Sequence, residues 1–131
     1  MSQPDVGSAY QVALETRAGG CLSADDVGRL LGISRQAVDD RRTAGSLLAV
    51  HRGDEWAFPR AQFHEQGTIS NLAAIVEGLE VSGPWATLEF LVTPDDTLGG
   101  LTPRDALLRG GEMRERVLVL VRGHREGEGY A

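Results

Sequence analysis

The chain has a single cysteine, no lysine and few aromatic residues. One thiol, Cys21, cannot form an internal disulfide and is typical of a protein in a reducing compartment. No apolar run approaches the length of a transmembrane helix. The first ten residues have neither the basic region nor the apolar core of a signal peptide. We therefore expect a cytoplasmic protein with no membrane partner.

Positive charge is also scarce. All 13 basic residues are arginines, and they stand against 19 acids, which gives a net charge of −6. Residues 1–66 carry seven arginines and nine acids, or −2, and residues 67–131 carry six and ten, or −4. A typical nucleic-acid-binding protein is basic. Any DNA contact must therefore come from a local patch, and we expect two or more copies to act together.

The residue groups that catalysis needs are missing. His51, His64 and His124 are far apart and have no ligand partners at metal spacing. The glycine pairs lack the following lysine of a phosphate-binding loop, and no serine lies in a nucleophile elbow. Asp95-Asp96 precedes a glycine loop, where adjacent acids are usually solvated or capping. We expect no enzyme, no metal site and no cofactor.

A pair of short helices between Ser23 and Gly45 is the clearest feature of the sequence. Ser23 and Ser34 are good N-caps, and Gly32 between them can take the left-handed conformation that ends a helix. Gly28 lets the two helices approach closely. This pattern predicts a helix-turn-helix, in which the second helix enters the DNA major groove. The alternative is an ordinary packed helix pair whose arginines are merely solvated.

A short β-hairpin is predicted directly after the helix pair. Residues 47–50 form an apolar run, and residues 51–58 form a turn followed by a stretch of alternating polarity. Pro59 ends the second strand because it has no N–H to donate. We therefore expect a winged DNA-binding domain over residues 1–66. A preceding helix, Ala9–Arg17, would pack either under the helix-turn-helix or against a second subunit.

Polar side chains of the second helix and of the hairpin tip are the candidate DNA contacts. Arg35 and Gln36 lie in the first turn of that helix, where Arg can pair with guanine and Gln with adenine. Arg42 and Arg52 would bind phosphates and fix the docking. The two aspartates in the middle of the helix either face the DNA or pair with neighbouring arginines. The predicted set is Ser34, Arg35, Gln36, Arg41, Arg42 and Arg52.

The second half, residues 67–131, predicts a bundle of short helices, so the fold class is mainly α. Apolar residues recur at helical spacing, and the 117–121 stretch, though β-branched, is predicted as helix because acids and arginines precede it. From Gly123 the chain is glycine-rich and polar, which predicts a mobile tail. The predicted helices are Asn71–Leu79 with Ser70 as its cap, Pro84–Val92, Arg104–Arg109 and Glu112–Arg122.

A specific set of residues runs through this second half: Trp85, then Thr93-Pro94, then an LGG-x-TP-x-x-x-L segment from Leu98 to Leu107. The stretch from about Ser70 to Gly123 thereby resembles the toxin-binding domain of the Xre/MbcA/ParS-type antitoxins. The helix-turn-helix region is similar to the one that often precedes this domain.

The resemblance implies an antitoxin of a type II toxin-antitoxin system. Such a protein represses its own promoter by binding operator DNA, neutralises a cognate toxin, often a NAD-consuming RES-domain protein, and commonly forms a homodimer. The 95–100 loop and the C-terminal segment are the best candidates for toxin contact. The alternative is a stand-alone dimeric transcriptional regulator whose C-terminal helices serve dimerisation or ligand sensing. The predicted toxin contacts are Asp95, Asp96, Leu98, Arg122, His124, Arg125 and Tyr130.

Overall fold

The structure, a computed structural model, describes residues 6–65 and 67–128, with side chains over 9–65 and 67–124. The helices in that part are α1 Val6–Arg17, α2 Ala24–Leu31, α3 Arg35–Ala44, α4 Leu72–Gly78, α5 Pro84–Val92, α6 Pro103–Arg109 and α7 Gly111–Glu128. The strands are β1 Cys21–Leu22, β2 Val50–Arg52, β3 Glu55–Pro59, β4 Phe63–His64 and β5 Gly67–Thr68. Short 3-10 turns lie at Arg60–Gln62, Glu80–Ser82 and Asp96–Leu98. The fold is mainly α with a small antiparallel sheet, as the sequence predicts.

The predicted helix pair forms as α2 and α3. The Ser23 hydroxyl accepts from the Asp26 N–H at 3.1 Å, and the Ser34 hydroxyl accepts from the Ala37 N–H at 3.0 Å. Gly32 ends α2 with a φ of 70°, a left-handed conformation that favours glycine. The N-cap and C-cap residues at these positions are therefore confirmed.

The predicted hairpin is one part of a three-stranded sheet. Strand β2 pairs antiparallel with β3, with Val50 opposite Ala57 and Arg52 opposite Glu55. The other edge of β3 pairs with β1, where Cys21 lies opposite Pro59. The sequence analysis missed β1, because two residues are too few for a period-2 pattern. The extra strand anchors the hairpin to the chain just before α2.

Two details of the second half differ from the prediction. Helix α4 begins after Asn71, which has a φ of 62° and makes no side-chain cap bond, so Ser70 is not its N-cap. Helix α7 runs to Glu128, six residues beyond its predicted end at Arg122, and the mobility of the tail stays a prediction. Val121, two residues before Gly123, is buried, so α7 is packed up to this position. A glycine inside a helix costs only about 1 kcal/mol, which such packing offsets.

The interior holds two clusters of buried apolar side chains. The smaller lies under the winged helix and contains Val27, Val38, Leu47, Ala49, Phe58 and Phe63. The larger is built mainly by α4 to α7, and it also takes Leu14, Ala18, Leu48 and Ala61 from the first half. Helix α1 thus packs against α5, within the same chain. The proposed division after residue 66 stays a prediction, with one core extending across it.

Over residues 6–65 and 67–128, no helix combines the length and the apolar character that crossing a bilayer requires.

Candidate functional site

Helix α3 is fixed by its inner face and exposes its outer face to solvent. Val38 is fully buried, and Gly28 on α2 lies so close that an added Cβ would stand 2.8 Å from the Ile33 carbonyl oxygen. The outer side chains, Arg35 and Gln36 among them, are exposed. The packing of α2 on α3 therefore sets the direction in which these two side chains point.

The predicted base contacts are lightly held by neighbouring acids. An Arg35 Nη1 atom lies 3.6 Å from Asp25 Oδ1, and both side chains are more than half exposed. Gln36 Nε2 donates to Asp40 Oδ1 at 3.0 Å. Ion pairs of this exposure contribute about 0–1 kcal/mol, so a base or phosphate can displace them. The two aspartates of α3 both have partners within the helix: Asp39 accepts from Arg42, and Asp40 accepts from Gln36.

Arg42 has a different environment from the one predicted. Its guanidinium carbon lies 4.3 Å from the centre of the Trp56 ring, and its Nη2 atom lies 2.7 Å from Asp39 Oδ1. On the same hairpin the His51 ring centroid is 3.7 Å from that of Trp56. The Arg42 side chain is only 22% exposed. Arg42 therefore joins α3 to the hairpin, and in this structure its side chain is not a free phosphate-binding group.

The hairpin is held to α1 by Arg52. Its Nε atom lies 3.4 Å from Glu15 Oε1, and the Glu15 side chain is only 16% exposed.

Ser34 is used by the N-cap of α3, and Arg41 is exposed near the C-terminal end of that helix. Among the six predicted DNA contacts, Arg35, Gln36 and Arg41 are thus the exposed side chains of α3 itself. Glu15 was not singled out from the sequence, because its partner lies far along the chain.

The surface around α3 is not basic. A cavity of about 620 Å³ between α3 and the hairpin is lined by two arginines and four acids, which leaves −2. On α2 the Arg29 side chain donates to Asp26 and holds the pKa of that carboxyl below its usual value. Bulk charge attraction is therefore not the driving force at this face. Specific contacts by individual arginines would have to supply the affinity of any DNA complex.

Two of the predicted toxin contacts line one cleft. Asp95 and His124, distant in sequence, face a cavity of about 280 Å³ between α5 and α7. The His124 ring meets the Phe90 ring edge-on, with centroids 5.4 Å apart. Asp95 also caps the following 3-10 turn by accepting from the Thr97 N–H at 2.8 Å. The fold thus brings the 95–100 loop and the end of α7 together.

The remaining predicted toxin contacts divide into three groups. Leu98 is fully buried in the larger core, so the expectation that its side chain offers a contact surface is wrong. Asp96 and Arg122 are exposed. The side chain of Arg125 and the whole of Tyr130 lie outside the described residues. A leucine at helical or loop spacing gives no sequence signal that separates a core position from a contact position.

Cys21 is half-buried in strand β1. Burial is the main cause that raises the pKa of its thiol, and the nearby Glu15 carboxylate adds to the rise. A raised pKa lowers the thiolate fraction at neutral pH. The thiol therefore has the character of a packing residue.

No protein-family model and no curated protein matches the chain. A solved structure, the NMR structure of Rv2175c, superposes on it with a TM-score of 0.62. The alignment covers 81% of this chain and 79% of the other, with 22% sequence identity. Such a likeness shows a shared fold, and it says nothing about what either chain binds.

Proposed function

We propose that the chain is a sequence-specific DNA-binding protein that docks α3 in the major groove. The observation that carries the proposal is the arrangement of α2, the Gly32 turn and α3 beside a β-hairpin, which is the geometry of a winged helix-turn-helix. Arg35 and Gln36 stand exposed in the first turn of α3, where such helices reach base edges.

The mixed charge of this face supports a regulator that acts on few sites. Arg29, Arg35 and Arg42 each have an acid beside them, which weakens sequence-independent attraction to phosphates. The base contacts of Arg35 and Gln36 then account for a larger share of the affinity. A homodimer, which would engage two half-sites, raises the affinity further without new contacts per subunit.

The experiment is a selection of bound fragments from genomic DNA with the full chain, followed by fluorescence anisotropy titrations on the recovered site. We expect one enriched motif, and a slope of log K against log salt that corresponds to a few phosphates at about −0.9 each. Enrichment of no motif, with equal affinity for scrambled duplexes, would rule out the proposal.

A second activity, neutralisation of a toxin, is favoured by one observation. Asp95 and His124 were predicted separately as toxin contacts, and both line the cleft between α5 and α7. An apolar and aromatic floor with a few polar groups is typical of a binding site. We propose this cleft as the surface by which an antitoxin-like chain would hold its toxin. For a stand-alone regulator, the same cleft would instead sense a small ligand.

A pull-down with the tagged full chain, read by mass spectrometry, separates these roles. A stoichiometric protein encoded by the neighbouring gene, lost with His124→Ala and kept with the exposed control Arg109→Ala, supports the antitoxin role. Recovery of the chain with DNA and without a protein partner contradicts that role and favours the stand-alone regulator.

A further inference from the structure

A cluster of three arginines, separate from those of α3, lies where α1 ends, the 60–62 turn begins and α6 starts. Arg17, Arg60 and Arg104 line one open cavity of about 270 Å³. The three residues come from distant parts of the sequence, so no local sequence motif predicts the cluster. Asp105 is the one carboxylate among the lining residues that the structure describes.

Two of these guanidinium groups are fixed by neutral acceptors. Arg17 donates from Nη2 to the Thr93 hydroxyl at 2.8 Å. Arg104 donates from Nε to the Ala61 carbonyl at 2.7 Å and from Nη2 to the Phe63 carbonyl at 3.2 Å. Neutral acceptors hold a guanidinium in place without cancelling its charge. Arg104 also donates from Nη1 to Asp105 Oδ1 at 3.1 Å, so this carboxylate offsets part of its charge. Both guanidinium groups are therefore positioned in advance, and an incoming anion would compete with Asp105 for Arg104.

Arg60 supplies the third positive charge. Its backbone N–H donates to the Gly20 carbonyl at 3.0 Å, which seats it beside the Gly19-Gly20 turn. Its exposed side chain has no carboxylate partner in the described part of the chain. Three arginines against one carboxylate leave +2 at this cleft. This local charge is opposite in sign to the −6 of the whole chain.

We propose that the Arg17–Arg60–Arg104 cleft is a phosphate-binding site. The planar fork of a guanidinium matches the oxygens of a phosphate and can donate two parallel hydrogen bonds to it. The cavity lies just below the range of about 300–1,000 Å³ for drug-sized ligands, so it suits one phosphate or a small phosphorylated molecule.

The phosphate has two possible sources, a DNA backbone or a free phosphate ester. Strand β3 leads from the hairpin tip to Pro59, and Arg60 follows directly. None of the described residues that line the cleft belongs to α2, to α3 or to the hairpin tip. The site therefore does not coincide with the α3 surface, and the proposal does not depend on DNA binding by α3.

The test is a titration of the full chain with inorganic phosphate at constant ionic strength, followed by NMR signals of the arginine side chains. We expect saturable binding that Arg60→Ala weakens about tenfold, the effect of losing one charge-assisted contact. Arg60 is the residue to change because its side chain holds no part of the fold. Arg109→Ala, an exposed arginine on α6 with the same charge change, should leave the affinity unchanged.

A complementary variant should act in the opposite direction. Asp105→Asn removes the competing carboxylate and keeps the backbone N–H that Thr102 caps, so phosphate should bind more tightly. Absence of saturable binding, or an equal loss in Arg60→Ala and Arg109→Ala, would overturn the proposal. Competition by duplex DNA would identify the backbone as the source of the phosphate, and a lack of competition would identify a free phosphate ester.

Discussion

Gly28 shows how one residue sets the geometry of the proposed DNA-binding face. It lies inside α2, where glycine is normally costly, and its missing side chain lets the Ile33 carbonyl approach. Both helices of the pair depend on this approach, because Ile33 and Ser34 form the turn into α3. Gly28 therefore helps to set the position of Arg35, the first residue of α3.

We predict that Gly28→Ala destabilises the protein by about 1–3 kcal/mol, because the new Cβ would overlap a backbone oxygen that cannot move independently. Gly123→Ala is the matched control. It lies in α7 with nothing within 4 Å of an added Cβ, and it should be neutral or slightly stabilising. Chemical denaturation measures both. Equal free energies of unfolding for the two variants would contradict the close approach.

At the scale of elements, the hairpin and α3 are joined by a cation–π contact. Trp56 on β3 lies between Arg42 and His51, so the wing cannot shift without breaking a cation–π contact. Glu15 holds the other side of the hairpin through Arg52. These contacts connect α1, the hairpin and α3.

We predict that Trp56→Leu weakens specific DNA binding by about 0.5–2 kcal/mol, since the hairpin and α3 lose their fixed relation. Trp85→Leu is the control, because that half-buried tryptophan packs against the larger core, whereas Trp56 packs against the smaller one. It should lower thermal stability and leave DNA affinity unchanged. Anisotropy titrations and thermal unfolding of both variants measure this. Loss of affinity in Trp85→Leu alone would contradict the account.

The elements that were predicted from the sequence are those whose characteristic residues lie close together along the chain. The Ser23 and Ser34 caps, Gly32 and the alternating hairpin all depend on neighbours within a few residues. Strand β1 depends on a distant partner, Pro59. Gln62 is the clearest omission: it is fully buried and bonds both backbone groups of Leu48, a role that a polar residue in a turn does not reveal.

The candidate site likewise has positions that the local sequence pattern predicts and environments that depend on distant residues. Arg35, Gln36 and Arg41 have the exposed positions on α3 that the helix pattern predicts. The environments of Arg42 and Arg52 were not predicted, because Trp56 and Glu15 come from other elements. The arginine cleft was missed for a further reason. Its three members are brought together only by the packing of α1, the 60–62 turn and α6.

At the scale of the whole molecule, the larger core joins the winged helix to the C-terminal helices. Leu14 and Ala18 of α1 are buried with side chains of α4 to α7, and α1 also holds the hairpin through Glu15. Helix α1 thus contacts both halves. A change at the C-terminal helices has a physical route to the proposed DNA-binding face through this helix.

We predict that Leu14→Ala, at a site only 1% exposed, costs about 2–5 kcal/mol and destabilises both halves together. Thermal unfolding should remain a single transition when it is followed by circular dichroism and by tryptophan fluorescence. Val12→Ala, on the exposed side of the same helix, is the control and should change little. Two separate transitions, with the winged half unaffected by Leu14→Ala, would show that the halves fold independently.

The most direct test of the central claim is methylation interference on the selected DNA site, which marks guanine N7 in the major groove. With α3 in that groove, methylation of at least one guanine per half-site should block binding. In Arg35→Ala, which should lose about 1–3 kcal/mol, the sensitivity at that guanine should disappear. Binding that tolerates N7 methylation throughout the site, with equal affinity for Arg35→Ala, would contradict major-groove docking by α3.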